Sequence, residues 1–506
     1  MVITVIRFNK ITKGELFFME KQKVGLGQRI DKFFGITKSG STFKTEIIAG
    51  ITTFMSMVYI LMVNAGLFQI GGLDFGGMYI ATAIGAIAGT LLIALLAKMP
   101  LAQASGMGIN AFLVFVLMGE TGLSFANCMM LTLLEGLVFV ILTVTGLRKK
   151  IFEAIPASVR KAIGVGIGLF IAFIGMQQAG LVLQDDPGGT IVEFVSFNVL
   201  GGKQFVAWDS GSNAVVGMLP AIIALVGVIL IAILSKKNVK GAILWGLLGS
   251  AVVYYAILGI LALAGVNGAN AVLSQVSFSN PFDAFGSWGK QNVGAVFTDG
   301  FNFVGIEGGT GGLVLIIITT TLSLCMIDMF DTIGTLYGAC SKGGLLDENG
   351  VPLNMNKCLL ADAIATCVGA VAGTSTVTTF VESSAGVAAG GKTGFTALVT
   401  GICFIFAMFL SPIAQLIPRS ATAAALIWVG VLMMSGVKDI DWTDPLEAVV
   451  AFVTLLVMCL GYSISKGIGW GIIFYVLVSI LAGKGKEIKI STWVIAGVYL
   501  ATFLLS

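Results

Sequence analysis

Apolar residues run along this chain in blocks of about twenty, without the strict alternation of a half-buried strand or the single stripe of a surface helix. Fourteen blocks stand out, at 46–68, 77–97, 105–119, 124–146, 157–183, 213–235, 240–265, 311–337, 357–372, 382–392, 393–417, 420–436, 446–464 and 466–482. A further run, 491–505, fits a short extra span or an interfacial helix. About twenty apolar residues coiled as a helix match the roughly 30 Å hydrocarbon core of a bilayer. The pattern therefore predicts an all-α polytopic membrane protein.

Composition agrees. Hydrophobic residues make up 57% of the 506 residues and charged ones 11%, where a soluble chain carries about a quarter charged. The mean hydropathy is +0.99. Glycine, at 67 residues, suits closely packed membrane helices.

The charges set the orientation. Residues 1–44 are polar and hold Arg7, Lys10, Lys13, Lys21, Lys23, Arg29, Lys32, Lys38 and Lys44, so no cleavable signal peptide is expected. With this segment cytoplasmic, the inner connections carry Lys98, Arg148-Lys149-Lys150, Arg160-Lys161, Lys236-Lys237, Lys240, Lys342, Lys357, Lys392, Lys438, Lys484 and Lys486. The outer ones hold only Lys203, Lys290, Arg419 and Lys466. This is the positive-inside pattern, and it predicts a multi-pass protein of the plasma membrane. Five regions follow: the cytoplasmic segment 1–44, seven spans in 45–265, an outer loop 266–310, seven spans in 311–482, and a C-terminal segment 483–506. Two long outer loops, 184–212 and 266–310, are expected to cover the outer face.

A faint repeat links the halves. Ile155-Pro156-Ala157-Ser158 is echoed by Ile417-Pro418-Arg419-Ser420, and Ser235-Lys236 before Trp245 by Ser465-Lys466 before Trp470. Seven spans separate each pair, and an odd number inverts the second half in the membrane. Inverted halves with a midplane site on broken helices are a transporter design.

Several chemistries drop out. The sequence has no histidine, which removes the usual proton shuttle and zinc ligand and the Ser-His-Asp triad together. Its seven cysteines lie mostly in apolar runs without metal-ligand spacing. No metal or other cofactor is expected. No basic–aromatic tract suggests nucleic acid.

What remains are polar residues at membrane depth, where a charge costs roughly 2.5–3.5 kcal/mol on insertion scales. Asp328 and Asp331 lie three apart in the eighth run and share a helix face, with Thr332 and Thr335 beside them. Two such carboxylates repel when both are ionised, so one should hold a proton readily. Residues 373–384, Gly-Thr-Ser-Thr-Val-Thr-Thr-Phe-Val-Glu-Ser-Ser, favour extended backbone and end at a lone acid, Glu382. They predict a short strand leading into a half-helix whose first amides attract electron-rich atoms. In the first half, residues 100–110 are also small and polar and end at Asn110, which offers the donor and acceptor that a heterocycle edge needs. Thr52, Thr53, Phe54 and Tyr59 of the first span are weaker candidates for the same cavity. Glu135 and Asp362 are candidate structural partners, and Lys392 is expected at the inner interface.

At these residues the chain resembles the nucleobase–cation symporters of the uracil/xanthine permease superfamily, and within it the AzgA-like adenine, guanine and hypoxanthine permeases. The likeness runs from about Phe34 to Gly483. It is carried by Thr45-Glu46 leading to Ala49-Gly50-Ile51-Thr52-Thr53-Phe54, by Gly106-Met107-Gly108-Ile109-Asn110-Ala111-Phe112, and by Asp328 to Thr335. Its strongest part is Gly373 to Thr379 with Glu382-Ser383 and Gly390-Gly391-Lys392-Thr393-Gly394. The resemblance implies fourteen spans as two inverted seven-span repeats, a core and a gate domain, short antiparallel strands in spans three and ten, and a homodimer. It places substrate contacts at Asp331 in span eight, Glu382 in span ten and Asn110 in span three. Thr332, Ser383, Asp328 and Thr53 complete the expected substrate-binding set. A histidine or acid that follows the span-eight acid in uracil- and xanthine-type relatives is here Thr335.

The expected function is import of a purine nucleobase with a proton, sodium being the alternative ion, with Asp331 and Glu382 as proton-coupling groups and no covalent chemistry. Alternatives are a carrier of uracil or xanthine, an anion carrier on the same fold, and an intramembrane enzyme using the Asp pair.

Overall fold

The computed structural model describes residues 25–146, 155–183, 193–194, 214–266, 268–274, 276, 280–303, 309–348, 351–461 and 463–505. Residues 1–24, Arg148-Lys149-Lys150 and nearly all of the loop 184–212 lie outside the described residues.

Among the described residues, eleven helices are long and apolar enough to cross a membrane. They are Phe43–Ile70, Phe75–Ala97, Phe125–Val144, Ala157–Gln178, Val216–Lys236, Ala242–Leu263, Gly311–Ser341, Met355–Ala372, Gly394–Gln415, Arg419–Asp439 and Ile464–Leu481. Three of the fourteen expected runs form shorter helices. Met107–Glu120 and Pro445–Leu460 are shorter apolar helices, and 382–392 yields only Ser383–Ala388. In two of the three the reason is local: a strand and a turn take up part of the membrane depth before the helix begins.

The helix starts follow side-chain capping. The hydroxyls of Thr42, Ser124 and Ser463 and the carboxylates of Asp74 and Asp444 each accept a first-turn amide. The connection 266–310 is more structured than a plain loop. It holds the short helices Ala269–Ser274, Pro281–Ser287 and Ala295–Thr298, and Trp288 Nε1–H donates to the Ala372 carbonyl at 2.8 Å. The C-terminal run forms the helix Ile490–Leu505, whose Phe503 ring stacks on Trp470 at 5.4 Å.

The helices pack in two groups. Phe43–Met57, Tyr59–Ile70, Phe75–Leu92, Phe125–Val144, Gly309–Gly343, Met355–Ala372 and Gly394–Ala407 surround the central strands. Ala157–Gln178, Ala214–Lys236, Ala242–Leu263, Arg419–Met433 and Pro445–Leu460 form the other group. Within it, Ala157–Gln178 crosses Arg419–Met433 glycine on glycine. A Cβ on Gly168 would stand 3.1 Å from the Gly430 carbonyl oxygen, and one on Gly430 would stand 2.5 Å from that of Gly168. Each glycine lies twelve residues beyond the proline that opens its helix, Pro156 or Pro418.

Candidate functional site

The site is built on the two stretches that break off the helical pattern. Helix Met355–Ala372 stops at Gly373, whose φ of 81° is a left-handed value at which glycine is unstrained. Threonine and valine then favour extended backbone, and Val377–Thr379 pairs antiparallel with Gln103–Ser105 in the register Gln103↔Thr379, Ser105↔Val377. The ladder continues from Gly106 N–H to the Thr376 carbonyl at 2.9 Å and from Phe380 N–H to that of Ala102 at 3.0 Å. Backbone at membrane depth persists only when satisfied in this way inside protein.

Beside the crossing opens a cavity of about 1170 Å³. Asp331, Glu382, Thr379, Phe380, Met107 and Ile171 stand on its wall, and Arg160, Lys161, Lys240 and Asp439 line it as well. The Tyr59 hydroxyl donates to Glu382 Oε1 at 2.6 Å. The Thr378 hydroxyl reaches Asp331 Oδ2 at 3.3 Å. The cavity thus joins two acids from different helices to hydroxyl and aromatic groups, a lining able to hydrogen-bond and stack a flat polar molecule.

The other expected site residues stand off this wall. Asp328 is fully buried behind it, which corrects the shared-face expectation: residues three apart differ by about 60° around a helix, enough to put Asp331 on the cavity and Asp328 in the packing. Thr332 is buried and donates to Asp362 at 2.9 and 3.0 Å, with Asp328 Oδ1 at 3.3 Å. Ser383 Oγ accepts the Ala102 N–H at 3.0 Å and ties the short helix to the first strand. Asn110 Oδ1 accepts from the Ser105 hydroxyl at 2.9 Å and from that of Ser375, and its side chain lines a separate small pocket. Thr53 is buried against Gly386 of the short helix, while Thr52 and Ser56 take the wall positions on that span. The amides of Ser383, Ser384 and Ala385 are taken by the carbonyls of Phe380, Val381 and Glu382 at 2.9–3.1 Å. The expected open amides are therefore not in the first turn of this helix, because it begins in tight turns.

Sequence reasoning undervalued Tyr59 and missed Thr378 and Gln103. Gln103 Nε2 donates to Asp362 Oδ1 and Thr379 Oγ1, both at 3.2 Å. Glu135 Oε2 accepts from the Thr376 hydroxyl at 2.6 Å. The available signal was the same in each case: a mid-span acid or amide needs a donor or acceptor, and the hydroxyl-rich run 373–379 is the richest supply.

Thr45-Glu46 and Lys392-Thr393-Gly394 turn out to be one device. Fully buried Glu46 accepts from the amides of Lys392, Thr393 and Thr396 at 3.0–3.3 Å and from the hydroxyls of Thr393 and Thr396 at 2.8 and 2.6 Å. A carboxylate there also complements the dipole of Gly394–Ala407. Glu46→Ala strands these buried donors and should cost about 3 kcal/mol or more. The thermal melting of purified protein measures this, and Glu46→Gln, which keeps one acceptor, should lose clearly less.

The comparisons with known proteins agree with this architecture. A family model for xanthine/uracil permeases, described as "Permease family", matches residues 44–470. The guanine/hypoxanthine permease PbuO of Bacillus subtilis is 38% identical over 459 residues, covering 90% of this chain and 96% of its own. The adenine permease AdeQ of Escherichia coli is 32% identical over 476 residues, covering 94% and 96%. Among solved structures, the anion transporter SLC26A9 superposes with a TM-score of 0.55 at 14% identity, covering 95% of this chain and 73% of that one. The fold is thus a helical polytopic one akin to that of the SLC26 transporters. With a matched model spanning most of its length and relatives that are permeases rather than enzymes, the chain belongs to the xanthine/uracil permease family.

Proposed function

We propose that this permease imports a purine nucleobase, hypoxanthine, guanine or adenine, by proton symport with alternating access. The observation that carries this reading is the pair Asp331 and Glu382 on the wall of one cavity beside the strand crossing. The names of PbuO and AdeQ support purines as the cargo class. A neutral base enters between the two helix groups. Glu382 and Asp331 accept its ring and amino hydrogens, and Phe380 offers a ring face to it. Thr332, Asp328 and Ser383 back these groups from behind, Thr53 seats the short helix, and Asn110 meets the base in the other half of the cycle. A proton on Asp331 or Glu382 balances the buried charge and permits the groups to move against one another.

The Gly168–Gly430 contact supports two inverted repeats of seven spans, since equivalent positions meeting reciprocally is what an in-plane two-fold axis produces. On this reading, Met107–Glu120, Ser383–Ala388 and Pro445–Leu460 complete fourteen spans. We further propose a homodimer in the plasma membrane with a cytoplasmic N-terminus. Arg160, Lys161 and Lys240 on the cavity wall then mark its inner end, and the conformation is inward-facing. An anion carrier on the SLC26-like fold is disfavoured, because two acids on the wall repel an anion. Thr335, whose hydroxyl donates to the Asp331 carbonyl at 2.8 Å, disfavours the uracil and xanthine branches.

The test is uptake of labelled hypoxanthine into cells or proteoliposomes, with adenine, guanine, xanthine and uracil as competitors. Purines other than xanthine should compete, uracil should not, and a protonophore should abolish accumulation while replacing sodium by choline leaves it intact. Sulfate uptake without hypoxanthine uptake would overturn the reading.

A further inference from the structure

A second pocket lies beyond the large cavity. It is only about 10 Å³ and is lined by Asn64, Asn110, Met107, Ile171, Ile174 and Leu426, among others. Its polar atoms are unusual. Asn64 and Asn110 are both fully buried, and each commits one end of its amide to the hydroxyls around the strand crossing. Asn64 Nδ2 faces Thr82 Oγ1 at 2.6 Å, Ser105 Oγ at 3.3 Å and Thr374 Oγ1 at 3.4 Å. The Thr82 hydroxyl already donates to the Met78 carbonyl at 2.7 Å, so it must accept from Asn64, which pins that amide's orientation. Asn110 Oδ1 is held by the Ser105 and Ser375 hydroxyls. The remaining ends, Asn64 Oδ1 and Asn110 Nδ2, have no hydrogen-bond partner among the described residues. Both asparagines line the same small pocket. Its volume is near that of a single water, which can answer both.

Met107 and Ile171 line the large cavity and the small pocket alike. They are the wall between the two. The far side of the small pocket is closed by Ile174 and Leu426, on Ala157–Gln178 and Arg419–Met433, the two helices that cross at Gly168 and Gly430. One wall of the pocket therefore belongs to the central group of helices and the other to the outlying group.

We propose that this pocket is the outer half of the transport path held shut, with Met107 and Ile171 as the partition. When the Gln178 end of Ala157–Gln178 and the Arg419 end of Arg419–Met433 draw away while Ile171 stays against Met107, Asn64 Oδ1 and Asn110 Nδ2 form a second polar subsite for the edge of a flat heterocycle that carries a donor beside an acceptor. A lactam or amidine edge has this pattern. Asn64 is thus a further substrate-contacting residue, reached from the outside. The inference rests on the alternating-access reading above.

Its test is sidedness. In a cysteine-replaced background, Ile174→Cys should react with a membrane-impermeant thiol reagent added to intact cells, and hypoxanthine should slow the reaction. Ala388→Cys, on the inner cavity wall, should react only in inside-out vesicles. Reaction of Ile174→Cys from the inside alone, or from neither side, would overturn the proposal. A second arm uses Asn64→Leu. Uptake from outside should fall about tenfold or more, while hypoxanthine binding to the purified inward-facing protein changes by less than about twofold. Equal loss in both assays, in protein that remains monodisperse, would also overturn it. If Asn64→Leu does not fold, the labelling still decides. The sidedness of Ile174→Cys is also independent of the cargo, so a parent protein that carried no hypoxanthine would sink the purine reading and leave this result standing.

Discussion

Replacing Glu382 with Gln should reduce hypoxanthine uptake by more than about a hundredfold, with the protein inserted in the membrane at parental levels. The side chain keeps its size, so the short helix Ser383–Ala388 and its neighbours have no reason to repack. What changes is hydrogen-bond sign. Glu382 Oε1 accepts the Tyr59 hydroxyl at 2.6 Å, and a glutamine satisfies Tyr59 with its one oxygen. Its NH₂ group then faces the ring and amino hydrogens of the base, donor against donor. The loss is a charge-assisted bond of about 1.5–3 kcal/mol together with the cost of an unmatched buried donor. Glu382→Asp should retain more activity than Gln despite its shorter reach, because it keeps the acceptor character. Radiolabelled uptake normalised to surface protein makes the comparison. Parental uptake by the Gln variant would remove Glu382 from the substrate contacts.

The sequence carried more of this site than of the surrounding bundle. A run of threonines and glycines at membrane depth cannot continue as an ordinary lipid-facing helix without purpose, so the strand at 377–379 and the turn into Glu382 were legible from residue type alone. The acid pair was legible for the same reason: ionisable groups in a span are expensive. Which acid faces the cavity was not. Asp328 and Asp331 differ by less than a turn, and only the packing of Asp362 and Thr332 shows that Asp328 points into the protein. Thr52 and Thr53 pose the same problem between adjacent residues, because the contact of Thr53 with Gly386 lies more than three hundred positions away along the chain. Glu46 shows the limit most clearly. Its carboxylate is matched by donors from Lys392 to Thr396, a pairing that no local pattern announces. Hydropathy is least informative at the stretches that divide membrane depth between strand, turn and helix, and there the helices are short.

Asp331→Asn should separate movement of the base from its coupling to protons. The residue lies on the cavity wall with Glu382 but is held more loosely: the Thr378 hydroxyl reaches its carboxylate at 3.3 Å, against 2.6 Å for Tyr59 on Glu382. Tyr59 fixes Glu382 as an acceptor, whereas Asp331 can alternate between accepting from the base and carrying a proton. Asparagine is close in shape to the protonated acid and cannot release its hydrogen. The variant should therefore still exchange labelled hypoxanthine for unlabelled base across a proteoliposome membrane, at a reduced rate that no longer depends on pH. It should fail to accumulate base against a gradient, a loss of at least about tenfold in steady-state accumulation if one proton is coupled across one pH unit. Counterflow and proton-driven uptake measured on the same vesicles distinguish the two outcomes. Retained proton-driven accumulation would move the coupling proton to Glu382, while loss of exchange as well would make Asp331 a binding residue first and leave Glu382 to carry the proton.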